Sequence, residues 1–125
     1  MDVKELKRRL DMLLKGDVIS QCASKVTETA FRHLLDELKA DKIEQAEMLF
    51  THLPTALTRM DKEEDLEGPS EEIMKEVKAS SYFTKAVKQI DMIEKEWGKA
   101  LPSEERDFLA MHYTNVIQLN KGGKA

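Results

Sequence analysis

A chain of 125 residues holds one domain's worth of core, and with 35% charged and 41% apolar residues but only five Gly and three Pro it lacks the turn punctuation of an all-β protein. Its single cysteine, Cys22, excludes an internal disulfide and fits a reducing cytoplasm, where a buried small hydrophobe among Val18, Ile19 and Val26 is expected. A net charge of -4 with no basic reading face argues against direct nucleic-acid binding, and no apolar run nears the roughly 20 residues of a membrane span.

The pattern of apolar residues predicts an all-α fold of five to six helices. Val3, Leu6, Leu10, Leu13 and Leu14 form a stripe opposite Lys4, Lys7, Arg8 and Lys15, giving a first helix over 2–14. After Gly16-Asp17, the residues Val18, Ile19, Cys22, Val26, Ala30, Leu34 and Leu38 define a second helix to about Ala40. Asp41-Lys42-Ile43-Glu44 has the form of a capping box and is expected to open the third, whose stripe runs through Leu49, Leu53, Ala56, Leu57 and Met60. Pro54 removes one backbone hydrogen bond there and is expected to bend the axis beside His52.

The stretch from Asp61 to Ser70 lacks a periodic stripe and ends in Gly68-Pro69, so it reads as a solvated loop between two halves. Eight acids against two lysines fall in residues 61–76, whereas residues 1–16 hold five bases against three acids. Ile73, Met74 and Val77 mark a short helix. Phe83, Ala86, Val87, Ile90, Ile93 and Trp97 mark a longer one that stops at Gly98. Pro102-Ser103 starts the last helix, with Glu104 and Glu105 complementing its positive end and Phe108, Leu109, His112, Val116 and Leu119 facing inward. The domain reading is an N-terminal helical extension over 1–16, a helical domain over 17–120 and a disordered tail over 121–125.

His52 and His112 lie within apolar helical runs. A step of seven residues turns about 700°, which brings Arg59 back to within roughly 20° of the His52 face and about 10 Å along the axis. Imidazole and guanidinium can then serve one anion. A phosphoryl group on the imidazole would add nearly two charges and several acceptor oxygens, the chemistry a guanidinium matches best. His33, beside Arg32 and near Glu37, reads as a solvated histidine. No Gly-rich phosphate loop, nucleophile elbow or metal-ligand cluster is present in the sequence, so an enzyme is not expected and no cofactor or metal is implied.

Two motifs carry a family resemblance. The first is a His followed seven residues later by Arg in an apolar helix: His52, Leu53, Ala56, Leu57, Arg59. The second is a Leu-Pro pair, an acid and an aromatic-aliphatic run ending in His: Leu101, Pro102, Glu105, Phe108, Leu109, Ala110, Met111, His112. In order and spacing they resemble the PTS regulation domain, the helical module through which bacterial regulators sense the sugar phosphotransferase system. The resemblance implies a compact bundle of five to six helices arranged as antiparallel pairs, with His52 and His112 as phosphoacceptors, Arg59 as the phosphate-stabilising residue and Glu105 as a supporting one.

It further implies a phosphocarrier protein or a sugar-specific phosphotransferase subunit as donor, with output through a homodimer or a full-length transcription regulator. The chain departs from the family in carrying Thr51 where an Asp usually precedes the first His, and Arg106-Asp107 where Ile-Gly usually follows the acid. The alternative reading is therefore a helical interaction or scaffold subunit of the same fold. In it, His52 and His112 are packing residues and Arg59 caps its own helix or pairs with the acids from Asp61 to Asp65.

Overall fold

The computed structural model describes residues 1–62 and 68–121, and among them six elements are helical. The class is all-α, as the apolar spacing predicts. The chain divides into a unit of Met1–Asp65 and a unit of Leu66–Ala125. The acidic connection over 63–67 and the tail from 122 lie outside the described residues.

In the first unit, α1 (Val3–Lys15) starts where the Asp2 carboxylate accepts from the Glu5 amide at 2.8 Å. It packs on α2 through the buried Leu6 and Leu10, each contributing roughly 1.5–3 kcal/mol of burial. The second helix, α2 (Gln21–Leu38), begins at Ser20, whose hydroxyl accepts from the Ala23 amide at 3.1 Å. Its inward face is Ala23, Val26, Thr27, Ala30, Phe31 and Leu34. This face meets α3 (Glu47–Asp61), where the rings of Phe31 and Phe50 contact edge-on with centroids 4.9 Å apart.

The expected capping box at Asp41–Glu44 does not open α3. The Ile43 amide donates to the Met1 carbonyl at 2.8 Å and the Met1 amine donates to the Ile43 carbonyl at 2.7 Å, with Asp2 and Lys42 paired as an antiparallel bridge. Extended pairing to a segment more than forty residues earlier wins over the local helix signal, and Gln45, at φ 51°, turns the chain before the helix starts. Ile43 and Ala46 are fully buried all the same, so the apolar spacing there is correct and its backbone assignment is not.

Cys22 is exposed, not buried. Because Ser20 sets the start of α2, the inward face runs through Ala23 and Val26 and leaves Cys22 one position off it. Val18, before the helix, is likewise 46% exposed.

The second unit contains α4 (Glu71–Ala79), α5 (Phe83–Trp97) and α6 (Ser103–Lys121), with α6 packed on both of the others. Helix α4 is capped by Ser70, α5 stops at Gly98 with φ 83°, and Lys121 closes α6. The core is Met74, Val77, Ala86, Ile90, Ile93, Leu101, Leu109, Tyr113, Val116 and Ile117. No helix among the described residues is long and apolar enough to cross a membrane.

Candidate functional site

The two histidines singled out in the sequence occupy different units, His52 on α3 and His112 on α6. Each is half-buried, and each has a notable residue seven positions away on its own helix.

At the first site, α3 runs from Glu47 to Asp61 with Pro54 buried inside it. Pro54 has no N–H to donate, and two threonine hydroxyls near it bond back to carbonyls one turn earlier. Thr55 Oγ1 donates to the Thr51 carbonyl and Thr58 Oγ1 to the Pro54 carbonyl, both at 2.8 Å. Thr58 Oγ1 also accepts from the Ser20 amide at 3.0 Å, which ties the start of α2 to the second half of α3. The helix that carries His52 is thereby held at its far end, one residue before Arg59. Arg59 is exposed, and helical periodicity returns it to the His52 side two turns on. Thr51 is exposed and brings no charge next to the imidazole.

At the second site, the start of α6 is anchored by a charged clamp. Arg106 Nη1 donates to Glu94 Oε1 at 2.5 Å and Nη2 to Asp91 Oδ1 at 3.1 Å, while Glu94 Oε2 accepts from the Leu101 amide at 2.7 Å. The carboxylate of Glu94 thus closes the α5–α6 turn from both sides. The connection before α4 packs against the same helix end, because a Cβ on Gly68 would lie 3.0 Å from the Glu104 carbonyl oxygen. Glu105 is 1% exposed in the first turn of α6, and two turns later His112 makes a tilted contact with Phe108, ring centroids 4.6 Å apart at 48°. The Nε2 atom of His112 has less than 1 Å² of exposed surface. Next to it Tyr113 is fully buried, and burial pushes its hydroxyl well above the ordinary tyrosine value.

Chemically, α3 carries a half-buried imidazole with an exposed arginine two turns on, and α6 a half-buried imidazole in tilted contact with an aromatic ring. The PRD domain family model matches residues 24–116. The chain belongs to the PRD domain family. No curated protein and no solved structure is significantly similar to the chain.

The PRD match begins within α2, ends within α6 and includes His52, Arg59, Glu105 and His112, while α1 lies outside it. PRD domains are regulatory modules, so a regulatory role under the phosphotransferase system follows from membership. No group of His, Cys, Asp and Glu among the described residues is arranged to hold a metal ion. His33 is exposed, in line with its position on α2. An open polar cleft of about 450 Å³, lined by Glu76, Ser80, Ser81, Tyr82 and Gln118 among others, includes none of the motif residues.

Three side-chain interactions of this architecture are not spelled out by the motifs. Thr58 gave no motif signal, since a threonine in an apolar run looks like filler. Arg106 was visible as a departure from the family pattern, but its acids lie on another helix. The Phe108–His112 spacing of four was present in the sequence and is the ordinary signal for side chains that touch on a helix.

Proposed function

We propose that this PRD accepts a phosphoryl group on histidine and transmits its phosphorylation state to a regulator of transcription, through a partner protein or through its own dimerisation. His52 is the primary acceptor. The observation that carries this reading is a half-exposed imidazole with the exposed Arg59 guanidinium two turns along the same helix.

In the transfer, an unprotonated ring nitrogen of His52 attacks phosphorus on the phosphohistidine of the phosphocarrier protein or of a sugar-specific phosphotransferase subunit. The donor's N–P bond breaks as the new one forms, the donor imidazole recovers a proton from solvent, and the histidine N–H of the acceptor is shed or kept with pH. Arg59 offers the incoming dianion a charge-assisted pair. The added charge sits beside packed helices and shifts how this surface docks on a partner, the usual route by which phosphorylation is read out. Glu105, buried two turns before His112, supports that second histidine from within α6.

The scaffold reading is favoured by one observation, the enclosed Nε2 of His112. Incubation with phosphoenolpyruvate, the general phosphotransferase enzymes and the phosphocarrier decides between the two. Acid-labile phosphate that falls sharply in His52→Ala, leaving only a slow remainder on His112, and falls in Arg59→Ala supports the acceptor reading, and unchanged mass in the wild type defeats it. Light scattering of the same samples shows whether assembly follows phosphate.

A further inference from the structure

We propose that Phe108 is a gate on His112, so that the two histidines of this chain differ in accessibility and the Nε2 atom of His112 is open to a reagent or donor only when the Phe108 ring has swung away. The biological consequence rests on the phosphoacceptor reading above, but the gate itself does not.

The argument starts from helix geometry. Side chains on a helix lean toward its N-terminus, so the imidazole at position 112 lies over the residue four before it, which is Phe108. The rings meet at 4.6 Å between centroids and at 48°, a tilted contact that sets the Phe108 ring against the imidazole. The Nε2 atom has less than 1 Å² of exposed surface, so an electrophile cannot reach it in this conformation. Phe108 itself is half-exposed, unlike Leu109 and Tyr113 on either side of it in the core stripe, and its ring can leave without opening the core. His112 sits on a helix whose first turn is pinned by Arg106 to Glu94 and Asp91, so the movable part is the aromatic ring and not α6.

Access then follows a local opening equilibrium. The observed rate of modification at His112 is the intrinsic rate multiplied by the fraction of time the ring is displaced. A phosphoryl group placed on Nε2 needs room that this conformation does not leave, so transfer to that atom would leave the ring displaced. Modification of His112 is in this way both hindered by the ring and reported by it.

The test uses the full chain and diethylpyrocarbonate, which carbethoxylates imidazole nitrogen, with peptide mass mapping of His33, His52 and His112 over time. In the wild type His112 reacts slowest and the exposed His33 serves as the reference. Phe108→Ala, and independently Phe108→Leu to retain apolar bulk, accelerate His112 by about two- to tenfold, the range set by the strength of an aromatic pair, with His33 and His52 unchanged. Equal rates at His52 and His112 in the wild type overturn the gate, as do unchanged His112 rates in both variants or equal acceleration at all three histidines. In a His52→Ala background, Phe108→Ala raises the initial rate of phosphotransfer to His112. Selective carbethoxylation without any phosphate uptake leaves the gate standing and removes the phosphoacceptor reading instead.

Discussion

Thr58 shows how much a single hydroxyl does when it both donates and accepts. Its hydroxyl donates to the Pro54 carbonyl and accepts from the Ser20 amide, so it joins the second half of α3 to the beginning of α2. Thr58→Val keeps the volume and removes both bonds, which leaves the partly buried Ser20 amide without its acceptor and costs about 1–3 kcal/mol. Urea unfolding with Thr58→Ser as the restoring variant measures this, and a midpoint equal to wild type for Thr58→Val would refute the role. At this scale the sequence was uneven. His52, Arg59 and His112 were legible because the family spacing marks them and helix periodicity places them. Cys22 was misread because its burial depends on where Ser20 starts the helix, a phase that apolar composition alone does not set.

Among elements, α1, α4, α5 and α6 lie close to where apolar periodicity and the Gly98 stop put them, because those signals are local, whereas α2 starts at Gln21 after the Ser20 cap and not at Val18. The start of α3 was not legible, since the segment before it pairs with Met1 and no window of neighbouring residues contains that partner. The α5–α6 junction has the same character. Arg106 looks in sequence like the loss of a family residue, and in the fold it is bonded to Glu94, 23% exposed, and to Asp91, 60% exposed. The less solvated bond carries most of the effect, because ion pairs in open solvent contribute about 0–1 kcal/mol. Arg106→Met is expected to destabilise by roughly 1–2 kcal/mol. A double-mutant cycle gives a coupling of about 1 kcal/mol with Glu94→Gln and little with Asp91→Asn, the latter vanishing in salt. Equal couplings for the two acids would mean that the clamp is a surface pair and does not anchor α6.

For the molecule as a whole, the two motifs and the apolar stripes together were enough to indicate the PRD family and its helical class, because both are written in spacing. The pH response of stability was not, because it depends on how deeply a tyrosine is buried. Tyr113 is fully buried beside the gated histidine, and desolvation raises its pKa in the folded state. The folded chain therefore keeps the phenolic proton at alkaline pH while the unfolded chain releases it above about pH 10. Where the unfolded state binds fewer protons, stability falls as pH rises, here by about 1.4 kcal/mol for each pH unit beyond that point. Below pH 10 the neutral ring is present in both states and the residue contributes no slope. Other groups also titrate in this range, so the quantity to measure is the difference between wild type and Tyr113→Phe in thermal or urea unfolding between pH 8 and pH 11. The two curves run parallel up to about pH 10 and then diverge, with the wild type losing stability faster. Parallel curves throughout would mean that Tyr113 ionises in place, and so that the interior of the second unit around α6 admits water that its burial excludes.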